Sequence, residues 1–387
     1  MEIVFWISLA LLFHSYILYP AILYLLSSIR KSDIPVYNED DEMPFISIIM
    51  AAYNEEEVIG KKIDSIFSTT YPLNKIQVLI GSDCSTDQTN SIVNGKSETY
   101  PNITFIEFNE RQGKANIMNY LLDLSKGDII VSTDANVLFT KPTLCNLIKF
   151  FKDENVGLVD THMINTGISK QGISIQESTY ISHEVMVKNR EGKLWGTMMG
   201  PFGGCFAVRK SAYYKVPKNF FMDDFYINMK VLECGKKTMN SLEAIVYEDV
   251  SNKLSEEFRR KVRISVGNFQ NLSVFYHLLW TPFKPLGFSF LSHKVIRWFG
   301  PFLLIFLLIT NVFLYSQNPL YKFFFVAQVM LFAAPLVDLL LGKFNIHLLV
   351  LRFSTHFLSM NVALFVGLIK FLKGVKSNVW QPTQRNQ

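Results

Sequence analysis

Hydrophobic positions along this chain change their pattern twice. Residues 3–29 are almost wholly apolar, interrupted only by weakly polar residues, His14 and Pro20. That run exceeds the about 20 residues needed to cross a hydrocarbon core. A cleaved leader is the rival reading, but Glu2 gives no positive start and no small-residue cleavage site precedes Arg30-Lys31. We read residues 1–31 as a retained transmembrane helix, with Arg30 and Lys31 holding its end in the cytoplasm. Residues 32–44 are polar and acidic and form a linker.

From residue 45 the pattern switches to short apolar runs alternating with helical ones. Ile46-Ser-Ile-Ile-Met50 reads as a buried strand, followed by a helix with Ile59, Ile63, Ile66 and Phe67 on one face. Strand patterns recur at 77–80, 103–106 and 128–132, with a helix after Asp87 and another over 114–124. Strands alternating with helices at this spacing predict an α/β domain over 45–250, with a mostly parallel, doubly wound sheet.

After about residue 250 the period becomes purely helical. Leu254, Phe258, Val262, Val266 and Phe269 recur at helical spacing, with Arg259, Arg260, Lys261 and Arg263 between them. Residues 251–297 therefore read as amphipathic helices at a membrane surface, the aromatic stretch 275–290 being broken by Pro282 and Pro285. Within 298–372, segments near 299–315, 321–341 and 348–371 are each close to spanning length. A basic tail occupies 373–387. One N-terminal and three C-terminal spans place the C-terminus outside, whereas Lys370, Lys373, Lys376 and Arg385 argue for inside. Arg352 and His356 make the last segment the weakest span, with a re-entrant or interfacial course as the alternative.

Composition narrows the classes. The 49% hydrophobic content, with 33 Phe, is high for a soluble enzyme, and its excess collects at the two ends. The Lys and Arg behind the net charge of +5 cluster beside apolar segments rather than along a stripe, so nucleic acid is not an expected partner. Cys84, Cys145, Cys205 and Cys234 form no CxxC pair and read as reduced thiols on the cytoplasmic side.

Chemistry-bearing residues follow the strands. Asp83, in Ser82-Asp83-Cys-Ser-Thr-Asp87, can accept hydrogen bonds from a nucleobase or ribose, or simply form a turn and helix cap. Glu55, in Ala52-Tyr53-Asn54-Glu55, is equally open. Asp134 and Asn136 flank Ala135 after the fourth strand and offer hard oxygens suited to Mg2+ or Mn2+, or are ordinary loop residues. Asp223-Asp224 sits among Phe220, Phe221, Met222 and Phe225, where mutual repulsion and lost solvation favour a general base. The same pair also suits a helix N-terminus. Lys114, after Gly113 at a helix start, is placed for a diphosphate or for solvent. Gly200-Pro-Phe-Gly203-Gly204 allows close backbone approach to a ligand. No GxGxxG or Walker A sequence supports a dinucleotide or ATPase reading.

In their order, Ala-Tyr53-Asn-Glu55, Ser-Asp83-Cys-Ser-Thr-Asp87, Gln-Gly-Lys114-Ala-Asn, Thr-Asp134-Ala-Asn136, Gly-Pro-Phe-Gly203-Gly204 and Asp223-Asp224 resemble family 2 glycosyltransferases. Ser292-His-Lys-Val-Ile-Arg297-Trp298 extends the likeness toward the membrane-embedded branch of cellulose, hyaluronan and poly-N-acetylglucosamine synthases. The resemblance implies a GT-A fold, a nucleotide-diphosphate sugar donor such as a UDP-sugar, a divalent metal (Mg2+ or Mn2+) and inversion at the anomeric carbon. It further implies a glycan or lipid-linked acceptor, contact with the lipid bilayer, and a multi-pass plasma (inner) membrane protein with its catalytic domain in the cytoplasm.

On this likeness Tyr53, Glu55 and Asp83 hold the nucleoside, Lys114 lies near the diphosphate, Asp134 and Asn136 serve the metal, and Asp224 is the base. Gly203, Gly204, Asp223 and Arg263 fall on the acceptor or diphosphate side. One departure stands out. Processive members carry Gln-x-x-Arg-Trp, whereas this chain has Arg260-Lys-Val-Arg263-Ile264 and Gly267-Asn-Phe-Gln270, without the tryptophan. A processive, exporting synthase is therefore the alternative within enzymes. A non-catalytic scaffold or transporter is the alternative outside them, although a transporter would carry more intramembrane charge than Arg352 and His356.

Overall fold

A computed structural model describes residues 1–29, 34–38, 40–167, 174–249 and 254–375 of the 387. Arg30, Lys31, Lys376 and Arg385, which entered the orientation argument, lie outside the described residues. The chain divides into two compact units, one built mainly on residues 26–168 and 181–251 and the other on 1–25, 169–180 and 252–374.

The first unit is built on an eight-stranded sheet among the described residues. Its strands are β1 (Ile46–Ala52), β2 (Ile76–Ser82), β3 (Ile103–Glu107), β4 (Ile129–Thr133), β5 (Leu138–Phe139), β6 (Val156–Thr166), β7 (Cys205–Arg209) and β8 (Lys237–Asp249), ordered β3-β2-β1-β4-β7-β6-β8-β5. The β3-β2-β1-β4 half is parallel, as expected from the alternating pattern. The other half is mixed: β7 runs antiparallel to β4 and β6, β5 antiparallel to β8, and β6 parallel to β8.

Every residue of β1 is buried, which explains why all but Ser47 are apolar, since helices cover both faces of a parallel sheet. Ile59, Ile63 and Ile66 of the Ile59–Phe67 helix are buried in the core. The Lys114–Leu124 helix buries Ile117, Met118, Leu121 and Leu122. Gly81 permits that approach, because a Cβ there would lie 2.5 Å from Ile117 Cγ2. This arrangement opens the C-terminal ends of β1, β2 and β4 at one edge, where an open α/β sheet places its ligand loops.

In the second unit, Glu2–Ile29, Pro319–Gly342 and Leu349–Leu372 are each long and apolar enough to cross a membrane. The expected span near 299–315 is different. Gly300–Leu314 has 15 residues, about 22 Å of helix, against about 30 Å of hydrocarbon. It reaches spanning length only with Pro285–Trp298, to which it is bent by 62°.

Conversely, the last segment, expected to be the weakest, is one unbroken helix. Its polar interruption is internally satisfied: His356 Nε2 lies 3.1 Å from Glu177 Oε2. The other oxygen of Glu177 accepts from Arg260 and Lys261 at 2.8 Å each. The amphipathic reading of the Leu254–Phe275 helix agrees with the burial of Val262, Val266 and Phe269. Two of its cations, Arg260 and Lys261, are however paired with the buried acid Glu177.

Candidate active site

The loops after β1 and β2 are stapled together by reciprocal hydrogen bonds. Asn54 N donates to Ser85 Oγ (3.2 Å), and Thr86 N donates to Asn54 Oδ1 (2.9 Å). Glu55 N donates to Thr89 Oγ1 (2.8 Å), while Glu56 N and Gln88 N exchange bonds with Asp87 and Glu56 carboxylates. Asn54 and Cys84 take left-handed backbone conformations at φ 51° and 59°. Non-glycine residues are held there only when their surroundings over-determine them, a condition that clusters at ligand sites. The turn-and-cap reading of Asp87 and the binding-loop reading are thus compatible.

Asp83 is fully buried and faces the 111–113 turn. Its carboxylate accepts from Gln112 N (2.5 Å), Gly113 N (3.2 Å) and Arg111 Nε (3.1 Å). The Arg111 guanidinium also lies 3.3 Å from the centroid of the Tyr53 ring. Arg111 was not singled out from the sequence, although it stands three residues before Lys114. A nucleoside reaching Asp83 would share these oxygens or displace Arg111. Glu55 is buried beside this layer, its backbone fixed by Thr89.

The second cluster surrounds Lys114. Gly113, at φ 79°, turns the chain into the helix, and Lys114 Nζ donates to Asp134 Oδ1 (2.7 Å) and lies 3.9 Å from Asp223 Oδ2. Burial alone would lower the Lys114 pKa, but the carboxylates of Asp134, Asp223 and Asp224 outweigh it and raise it above the usual lysine range. Asp223 and Asp224 open the Asp223–Glu233 helix, so the helix-start and base readings of this pair hold together. Asp224 is 7% exposed, and burial, then the neighbouring Asp223, push its pKa up to about 7.

Gly203 completes this contact. Its φ is +82°, and a Cβ would lie 2.7 Å from Asp224 Oδ2. Gly204 connects the turn to the Asp134 loop, its carbonyl accepting from Asp134 N (2.9 Å) and Thr133 Oγ1 (3.1 Å). Behind the turn, Asp160 and Lys188 form a buried pair at 2.7 Å, and the Lys188 ammonium lies 3.4 Å from the Phe202 ring centroid.

Asn136 takes a different direction from the simple paired-oxygen expectation: its Nδ2 donates to Glu248 Oε1 (3.1 Å). Arg263 belongs to the helical unit. Sequence-predicted Tyr53, Glu55, Asp83, Lys114, Asp134, Asn136, Gly203, Gly204, Asp223 and Asp224 all lie in the sheet unit.

The donor set suits a hard divalent ion. Asp134, Asp223 and Asp224 set three carboxylates around one ammonium, leaving excess negative charge for a cation. Among the described residues, no three His, Cys, Asp or Glu side chains converge to hold a metal by themselves. Mg2+ and Mn2+ commonly take one or two protein oxygens and complete their shells with phosphate and water.

The sheet edge thus carries a cation-bound buried acid, a lysine among carboxylates and a glycine turn. Comparison makes the class specific: residues 47–216 match the model of Glycosyl transferase family 2, and this stretch is a family 2 glycosyltransferase domain. The chain is 33% identical to a β-monoglucosyldiacylglycerol synthase of Nostoc sp. over 30% of its length and 25% of that protein's. It is 25% identical to the poly-β-1,6-N-acetyl-D-glucosamine synthase of Staphylococcus aureus over 63% of its length and 58% of that protein's. The chain thus spans only a quarter to about three-fifths of these relatives. A mannosyltransferase from Pyrobaculum calidifontis, solved with GDP-Man and Mn2+, superposes with a TM-score of 0.70 over 95% of this chain and 99% of that one, at 22% identity. That likeness establishes the GT-A fold.

Proposed function

We propose that this protein is a membrane-bound, inverting, metal-dependent glycosyltransferase. It transfers a sugar from a nucleotide-diphosphate donor, a UDP-sugar by preference, to a lipid-linked or growing cell-surface glycan. The observation that carries the reading is Asp224: a buried carboxylate of raised pKa, held against Gly203, in the same cluster as Lys114 and Asp134.

Tyr53, Glu55, Asp83 and Arg111 form the nucleoside end, and Lys114 balances charge on the diphosphate. Asp134, with Asn136 beside it, would hold Mg2+ or Mn2+. When bound, such an ion neutralises charge developing on the leaving diphosphate. Asp224 accepts the proton of the acceptor hydroxyl as that oxygen attacks the anomeric carbon from the face opposite the diphosphate. Asp223, Asp134 and Lys114 set the charge that tunes Asp224. The apolar helices support a seat in a plasma (inner) membrane, and the proposed orientation puts the domain on the cytoplasmic face, where nucleotide sugars are made. Without a tryptophan after Arg263, single or short addition is preferred over long-chain polymerisation.

Incubating the purified full chain with a panel of UDP- and GDP-sugars, Mn2+ and a membrane lipid extract tests this reading. One donor should label a lipid or short glycan, seen by mass spectrometry of the products. Absence of product with every donor would count against the enzyme reading, and a long polymer would favour the processive alternative.

Two further outcomes are expected. Asp224 is a base only when deprotonated, so kcat/KM should rise with pH through about 7 and then level. A flat profile from about pH 5.5 to 8.5 would remove Asp224 as the titrating base. Gly203→Ala adds a Cβ at a positive φ and drives it into the Asp224 carboxylate. About tenfold or more should be lost from kcat, since displacement of a reacting group by about 1 Å is that costly. Full turnover in Gly203→Ala would show that this contact does not position Asp224.

A further inference from the structure

A fully buried lysine stands behind the Asp134 loop. Lys62, on the Ile59–Phe67 helix, donates from Nζ to Thr133 Oγ1 (2.9 Å) and to the carbonyl of Val137. Its ammonium lies 3.4 Å from the Phe139 ring centroid. These bonds grip residues 133 and 137, the two ends of the segment that carries Asp134 and Asn136. The grip extends one step further: Thr133 Oγ1 donates to Gly204 O (3.1 Å), which also accepts from Asp134 N (2.9 Å). Thus one side chain ties the Asp134 loop to the glycine turn whose Gly203 touches Asp224.

Burying an ammonium is costly, and an apolar side chain of similar length would fill the same space without that cost. What the ammonium adds is directional: two hydrogen bonds that join the two ends of a loop otherwise held by its own backbone bonds and by those to Gly204. Burial pulls Lys62 down to about 7, with Cys205 and Asp134 acting in the opposite direction.

We propose that Lys62 is a positioning residue, bracing the Thr133–Val137 loop from inside the core so that Asp134 is presented to a metal-bound nucleoside diphosphate. This rests on the glycosyltransferase reading for the identity of the ligand, but the brace itself can be measured without one. The informative variants are Lys62→Met, which keeps the length and removes both lysine bonds, and Thr133→Val, which removes one of them together with the Thr133 bond to Gly204. In ligand-free, detergent-purified full-length protein, amide hydrogen exchange at 134–137 should quicken in both variants while exchange in β2 is unchanged.

In the same preparations, Mn2+ binding in the presence of UDP, read from the free-ion signal in electron paramagnetic resonance, should weaken about tenfold in Lys62→Met. The double variant should lose little more than Lys62→Met alone, because both substitutions break one network. In transfer assays the donor KM should rise more than kcat falls, which a general loss of folded protein would not produce.

Unchanged exchange at 134–137 in folded Lys62→Met would overturn the proposal, as would wild-type Mn2+–UDP affinity. If Lys62→Met does not fold, Thr133→Val decides: faster exchange at 134–137 supports the brace and unchanged exchange refutes it. Failure of the parent protein to bind Mn2+–UDP counts against the proposed function, while the exchange result still decides the role of Lys62.

Discussion

Asp224→Asn should lower sugar transfer on the order of 10³-fold and leave donor binding nearly intact. The amide matches the carboxylate in shape but cannot take the acceptor's proton, and a positioned general base contributes about 10²–10⁴-fold. Donor binding should persist because the proposed role of Asp224, which packs against Gly203, is toward the acceptor, whereas Lys114 and its partner Asp134 are proposed to face the diphosphate. Turnover in the variant and a UDP titration of the same preparation check both halves. Undiminished turnover would remove Asp224 as the base, and lost UDP binding would move it to the donor site. The rise in rate through about pH 7 should also vanish from whatever activity remains.

The second large effect is expected at Asp134. Asp134→Ala removes the carboxylate proposed to hold the metal and the 2.7 Å partner of Lys114. Transfer should fall about 10²–10³-fold, the scale for losing a preorganised electrostatic partner of a developing charge. The two roles separate in the dependence on metal. UDP binding by the parent should strengthen with added Mn2+, and UDP binding by Asp134→Ala should not. A variant that keeps the Mn2+ enhancement would place the ion elsewhere.

The sequence pattern revealed the parallel half of the sheet well because β1, β2 and β4 are almost wholly buried and read as mainly apolar runs. The Lys114–Leu124 helix was legible to its ends because Gly113 and Ser125 bound it sharply. β6, β7 and β8 were not foreseen. In β6 the run carries buried Asp160 and Thr161, and Asp160 is paired with Lys188, a partner 28 residues away that no local pattern reveals.

The same limit applies to the site. Asp83, Lys114, Asp134 and Asp224 stand at strand or helix ends, where position itself suggests chemistry. Arg111 and Lys62 escaped notice because ordinary basic residues acquire meaning only from what they touch. Arg111 lies against Tyr53 and Asp83, and Lys62 reaches across 71 positions to Thr133. In the helical unit, His356 weakened the sequence case for a span because Glu177, 179 positions away, could not be matched to it in advance.

The central claim is that the carboxylates around Lys114 form a metal-dependent nucleotide-sugar site. Release of nucleoside diphosphate by the parent protein, measured with its acceptor lipids and with Mn2+ or excess EDTA, tests that claim most directly. Release should require both Mn2+ and acceptor, stop on chelation and return when Mn2+ is restored. Equal release in EDTA, or none from any nucleotide sugar with Mn2+ present, would contradict it.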